Sequence, residues 1–343
     1  MKVFHFHFGK DGGAETFFVH LIGALGRREV EQLAVIRKQR AWRTKIAPYA
    51  EIIESNFRNL SIDRLALPLK VRALAREHQP EAIMSWATRG SRLMPPYRAG
   101  ITLSRLGDYP THLGYFRNTD VLICNTPGIA DHVRRIGWTR GVEVISNFTA
   151  TEPVPPAART DLNTPADAPV VMAMGRFVKR KGLNILIEAA ALVPDIYLWI
   201  AGDGEELPAL EALVAERGLA HRTRFLGWRQ DTRPFVAAAD LFVMPSFHEP
   251  LGNVILEAWA QKRPVISTRS EGPSWFMTDE ENGLLVPIAD KDALAGAISR
   301  LLTDASLRRG IAEAGHKALI DRFSEEAVAG AYLDLFKRRP AWR

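Results

Sequence analysis

In the segment SFHEPLGNVILEA, Glu249 and Glu257 stand with seven residues between them. Leu251, Gly252 and Asn253 are expected to open the helix that carries Glu257. The first amides of a helix lack intrahelical partners and lie at the positive end of its dipole, so an anion belongs there. Gly252 would let a phosphate come close to the backbone. Carboxylates do not bind phosphate; they accept hydrogen bonds from hydroxyls. An anion site with a hydroxyl acceptor on either side fits a sugar nucleotide. The bland alternative makes Glu249 a helix cap and Glu257 a solvated charge. It is weak, because glutamate is a poor cap and Glu257 lies in an apolar stretch.

A second segment, GRFVKRKG, starts at Gly175 and should follow a strand and precede a helix. Arg176 offers a planar fork for phosphate oxygens, and Lys181 offers a point charge. Lys179 and Arg180 add to the field, though their phase could equally turn them to water. The turn GKDGGAE after the first strand holds Gly12 and Gly13. It is neither GxGxxG nor a P-loop, but its glycines could bring backbone close to a diphosphate. No acidic DxD-type pair and no His/Cys cluster is present, so no metal is expected. His5 and His7 share a face of the first strand without a third ligand; core or edge histidines are the better reading. Trp86 reads as core, although Trp86 and Arg89 end a strand and could face an acceptor.

These residues need a frame to hold them. From PVVMAMGRF onward, short apolar runs (IYLWIAGDG, RTRFLGW, DLFVMPS, PVIST, GLLVPI) alternate with helical spacing in GLNILIEAAALV, ELPALEALVAERGL, DTRPFVAAA and LGNVILEAWAQKR. Strands apolar on both faces between helices predict a parallel, doubly wound α/β sheet. KVFHFHF, EQLAVIR, EAIMSWA, ITLSRL, DVLICNT and VEVISN repeat the plan in the first half. TEPVPPAARTDLNTPADAP reads as an interdomain linker. The expected domains are 1–155, joined by a C-terminal helix 325–343, and 156–324, with a ligand in the cleft between them.

At 343 residues, two domains are the natural reading. Ordinary composition excludes disordered and fibrous classes. The only cysteine, Cys124, excludes an internal disulfide, fits a reducing compartment and reads as a packed thiol. No secretory signal and no membrane-spanning segment is legible, so a cytoplasmic protein is expected, with at most peripheral contact at the inner face of a membrane. Residues 1–150 carry 22 Lys and Arg against 13 Asp and Glu; the remainder carries 23 against 26. The basic half could meet an anionic partner or be a solvated arginine-rich surface. Without an aromatic-interleaved stripe, nucleic acid is not the expected partner.

Across GGAE (12–15), GRFVKRKG (175–182), IAGDG (200–204), RFLGW (224–228), ADLFVMPS (239–246), EPLGNVILEA (249–258), PVIST (264–268) and NGLLVP (282–287), the chain resembles family-4 retaining glycosyltransferases of the GT-B fold. The resemblance implies two facing Rossmann-like domains. It implies that Glu249 contacts the donor sugar, Glu257 the ribose, Arg176 and Lys181 the diphosphate, and Gly12 and Gly13 a phosphate loop. Gly227 and Trp228 would lie near the base. Many relatives carry a histidine where this chain reads SRLGDYP; Gly107 stands there, followed by Asp108. Asp108 could bind sugar hydroxyls in its place, or serve as a turn residue before Pro110.

The expected activity is therefore metal-independent retaining transfer of a hexose from a UDP- or GDP-linked sugar to an anionic envelope glycan or glycolipid, such as lipopolysaccharide core. The sugar nucleotide is a co-substrate, and no cofactor is expected. Two alternatives are a nucleotide-sugar epimerase or hydrolase of the same fold, and a non-catalytic nucleotide-sugar binding module. The first predicts turnover of donor in water alone; the second predicts binding without turnover.

Overall fold

The computed structural model describes residues 1–10, 12–56 and 63–338. The chain divides into two compact units, one of Met1–Phe148 with the chain from Glu325 onward, the other of Thr149–Ser324.

Unit 1 runs β1 (Lys2–His7), α1 (Gly13–Gly26), β2 (Glu31–Arg37), α2 (Arg43–Ile46), β3 (Glu51–Ser55), α3 (Asp63–His78), β4 (Ala82–Trp86), α4 (Ala87–Ser91), β5 (Ile101–Leu106), β6 (Val121–Cys124), α5 (Pro127–Arg135) and β7 (Gly141–Val144). Its seven strands lie in the order β3-β2-β1-β4-β5-β6-β7, and every pairing is parallel. Central strands are buried except for Lys2 at the start of β1, which is why KVFHFH, AIMSW and ITLSRL carry so few charges. β3, by contrast, is an edge strand, EIIES, with a glutamate near each end and only Ser55 buried. The alternation read from sequence passes over it, because an edge strand need not be apolar.

Unit 2 runs β8 (Val170–Met174), α6 (Leu183–Ala191), β9 (Tyr197–Ala201), α7 (Leu207–Glu216), β10 (Thr223–Gly227), α8 (Arg233–Ala238), β11 (Leu241–Met244), α9 (Asn253–Ala260), β12 (Val265–Thr268), α10 (Glu271–Phe276), β13 (Leu284–Val286), α11 (Lys291–Thr303) and α12 (Ala305–Phe323). The sheet order is β10-β9-β8-β11-β12-β13, again all parallel. Asp290 and Asp304 start α11 and α12 by accepting the Ala293 and Leu307 amides, each at 2.9 Å.

The Pro-rich stretch expected to be an interdomain linker is packed onto unit 2. Ala157 N–H donates to the Pro234 carbonyl at 2.9 Å. Arg159 reaches the Ala238 carbonyl and Asp240. Trp199 Nε1 donates to the Thr164 hydroxyl at 3.1 Å. The last described helix, α13 (Glu325–Phe336), belongs to unit 1. Its Val328, Ala329, Tyr332, Leu335 and Phe336 share one core with Phe17, Phe18 and Leu21 of α1. Burying a large apolar side chain contributes about 1.5–3 kcal/mol, so this seam outweighs the ion pairs of Arg28 with Glu325 and Glu326 above it.

Candidate functional site

A cluster of polar side chains in unit 2 lies at the carboxyl ends of β8 and β11. These two strands pair side by side, Leu241 with Val171 and Phe242 with Met172. Strand order reverses here, and the loops of an open α/β sheet diverge at such a point to leave a crevice. After β8 the chain passes Gly175 and Arg176, and then Phe177 anchors the loop. Its ring is buried, its N–H donates to the Asp203 carbonyl at 2.8 Å and its own carbonyl accepts Glu206 N–H at 3.0 Å. The IAGDG segment thus serves as the floor under the basic loop. Lys179–Lys181 form one 3-10 turn, ended by Gly182 at φ 63°. A Cβ on Gly182 would stand 2.1 Å from the Pro245 carbonyl oxygen; only glycine permits this approach. Phe247 N–H then donates to the Arg180 carbonyl at 2.8 Å.

That stitching brings Lys181 and Glu249 into an ion pair, with side chains 17% and 15% exposed. Ser246 Oγ lies 3.5 Å from the same carboxylate oxygen. The backbone of Glu249 is clamped on both sides: its N–H donates to Glu271 Oε2 at 3.2 Å, and its carbonyl accepts Gly272 N–H at 2.8 Å. Glu271 also holds His248 Nδ1 at 2.7 Å.

Sequence reasoning expected Leu251 to open the helix. Instead α9 begins at Asn253 with Gly252 as its N-cap at φ 95°, and no side chain caps it. Leu251 is a buried core residue, 3% exposed. An apolar side chain before a left-handed cap anchors the turn and adds no polar group to it. Glu257 is on α9 beside buried Ile255, Leu256, Ala258 and Trp259. It is only half-buried as a residue. Dense packing around its carboxyl pushes the pKa up to about 7, with Asp231 adding to the shift and Arg233 opposing it. Arg233 is itself bound to Asp231 at 2.7 Å. Arg176 is exposed and bonds no side chain or carbonyl among the described residues. Trp228, following Gly227 at the end of β10, is 75% exposed.

The remaining predicted residues lie in unit 1. Gly12 is the N-cap of α1, and its carbonyl accepts both N–H and Oγ of Thr16. Gly13 is the first helical residue. Asp108 is exposed, and its Oδ1 accepts the Tyr109 N–H at 2.8 Å, the geometry of the turn alternative. Trp86 is core, 2% exposed, and Arg89 is exposed. His5 and His7 are buried, and burial pushes each down to about 3; His7 packs against Phe18, Trp42 and Trp86. They are neutral packing groups, and among the described residues no three His, Cys, Asp or Glu side chains gather as metal ligands.

Sequence reasoning missed Arg105. It is 3% exposed at the end of β5, where Nε donates to the Tyr332 hydroxyl at 2.9 Å and Nη2 to Asn147 Oδ1. Its guanidinium lies 4.3 Å from the Phe17 ring centroid. An arginine inside ITLSRL, otherwise apolar and hydroxylic, is the signal that could have found it.

The second unit matches the family model described as "Glycosyl transferases group 1" over residues 168–304. The chain is 59% identical over 340 residues to the lipopolysaccharide core biosynthesis glycosyltransferase LpsE of Rhizobium meliloti (strain 1021), covering 99% of this chain and 100% of that protein. It is 50% identical over 343 residues to LpsD of the same strain, with full coverage of both. Among solved structures, Anabaena HepE in complex with UDP-glucose superposes with a TM-score of 0.83 at 23% identity, covering 98% of this chain and 99% of that one. No described helix is long and apolar enough to cross a membrane. Two parallel Rossmann-like units, a family match across the second of them and relatives aligned from end to end lead to one conclusion: the chain belongs to the group 1 glycosyl transferases and has the GT-B fold.

Proposed function

We propose that this glycosyltransferase is a family-4 type, metal-independent retaining enzyme that transfers a hexose from a UDP- or GDP-sugar to lipopolysaccharide core. The names of LpsE and LpsD support the acceptor class. The UDP-glucose complex of HepE supports the donor class. Unit 2 takes the donor, and unit 1 takes the anionic glycan. The enzyme works in the cytoplasm, at the inner face of the membrane.

One observation carries the reading: Lys181 and Glu249, far apart in sequence, meet beside the start of α9. Donor binding breaks that pair. The lysine and Arg176 turn to the diphosphate, joined by backbone amides at the helix start. The glutamate is released to accept hydroxyls of the sugar. Glu257 accepts the ribose hydroxyls, and Trp228 with Gly227 borders the base. In the transfer, the bond from the anomeric carbon to the phosphate oxygen breaks. The acceptor oxygen bonds on the same face, and its proton passes to the departing phosphate. Once turned to that leaving group, the cations and amides favour its departure, each such donor contributing about 2.7–4 kcal/mol.

The test uses purified Glu249→Ala and Arg176→Ala proteins with core glycolipid and radiolabelled UDP- and GDP-sugars. Transfer should fall at least ~100-fold in Glu249→Ala. Donor binding should weaken about tenfold or more in Arg176→Ala. Wild-type turnover in both variants refutes the assignment. Rapid release of sugar without acceptor would favour a hydrolase.

A further inference from the structure

We propose that the carboxyl edge of β5 and β6 in unit 1 is a subsite for an anionic oxygen group, a carboxylate or a phosphate monoester, carried by the acceptor. The word acceptor rests on the transferase reading above; the anion site does not.

Three buried polar side chains at this edge have bonding capacity unspent. The first is Arg105, a buried cation that pairs with no carboxylate among the described residues. Its neighbours are neutral: the Tyr332 hydroxyl on Nε, the Asn147 amide on Nη2 and the face of Phe17. Nη1 bonds nothing described. Burying a charge without a counter-charge is costly, and a strand otherwise apolar and hydroxylic does not need an arginine for packing. The second is Asn125, 4% exposed at the end of β6. Its Oδ1 is buried without a partner, and its Nδ2 also bonds nothing described. The third is Thr126, 2% exposed, whose Oγ is likewise unpartnered.

Gly107 shows where the first two point. A Cβ built there would lie 3.8 Å from Arg105 Nη1 and 3.8 Å from Asn125 Nδ2, with no other non-neighbouring atom within 4 Å. Space therefore stands open above Gly107, with a guanidinium nitrogen and an amide nitrogen converging on it. Both are donors, and one carries charge. An anionic oxygen placed there satisfies both and neutralises Arg105. A neutral hydroxyl would accept a bond and leave the buried charge uncompensated. Asp108 does not fill this role: its carboxylate turns back to the Tyr109 amide and forms no ion pair with Arg105.

The test is made on the full chain carrying Arg176→Ala and Lys181→Ala, so that the donor's cations do not report. Sodium phosphate and sodium acetate are titrated by calorimetry at constant ionic strength against chloride. Saturable binding is expected, weakened about tenfold or more by Asn125→Ala and by Gly107→Val. Gly107 lies outside the left-handed backbone region, and its Cβ position is unobstructed, so the valine variant should fold and fill the cradle. Binding of phosphate alone identifies a phosphorylated acceptor; binding of acetate identifies a sugar acid. With Arg176 and Lys181 intact, Gly107→Val should raise the acceptor KM about tenfold while donor Kd stays at the wild-type value. No response to either ion, or an equal response in Gly107→Val, overturns the subsite. An anion response lost in Gly107→Val with an unchanged acceptor KM overturns its assignment to the acceptor. If the wild type transfers nothing yet loses its anion response in Gly107→Val, the transferase reading fails and the subsite stands.

Discussion

The carboxyl edges of the two sheets handle charge in opposite ways. In unit 2 two cations are paired before any ligand arrives, Lys181 with Glu249 and Arg233 with Asp231. In unit 1 the buried cation Arg105 is held by an amide, a phenol and a ring face, and the nearby histidines are kept neutral by burial. A paired site can exchange partners at modest cost, because each charge leaves one counter-group for another. An unpaired buried cation gains most when an anion comes to it. The first arrangement suits the proposed exchange of a diphosphate sugar. The second suits selection of one acidic substrate.

The largest effect should come from the contact that brings the unit 2 charges together. Gly182→Ala puts a methyl against the Pro245 carbonyl in a left-handed conformation. It should destabilise unit 2 by on the order of 3 kcal/mol, read by urea denaturation. An unchanged midpoint would mean that the two loops do not depend on this approach.

Glu257 sharpens the comparison next. Its raised pKa of about 7 means that the ionised form, the one the proposed ribose contact needs, fades as pH falls. Nucleotide affinity should drop roughly tenfold from pH 8 to pH 6, and Glu257→Gln should flatten that profile in calorimetry. The sign for stability is opposite. A carboxyl whose folded pKa is raised contributes stability that is present below its unfolded value, near 4.5, and lost as pH rises through about 7. A pH-independent affinity in the wild type would remove Glu257 from the ribose contact.

The smallest effect tests unit 1. Tyr332→Phe leaves Arg105 Nε without its hydroxyl partner, costing about 1–3 kcal/mol. Melting should fall by about 2–4 °C per kcal/mol. A variant as stable as wild type would show that Arg105 does not depend on α13.

The segments that meet in unit 2 are legible in sequence because their glycines and periodicity act locally. EPLGNVILEA carries a glutamate, a left-handed cap and a helix in one stretch. Leu251 was misread because an apolar residue before a helix looks the same whether it opens the helix or plugs the core. β3 was passed over because its pattern is that of an exposed edge. The Pro-rich stretch looked like a linker because composition does not reveal that Ala157 and Arg159 find partners near α8.

From sequence alone came the alternation of buried strands and helices, and the residue types around Glu249 and Lys181, since both depend on neighbours a few positions away. Tertiary structure alone decided that β8 lies beside β11, that Lys181 reaches Glu249, and that Arg105 finds Asn147 and the returning Tyr332. Those meetings join residues tens to hundreds of positions apart. They depend on strand order and on a terminal helix packing back onto the first unit, and no local pattern encodes either.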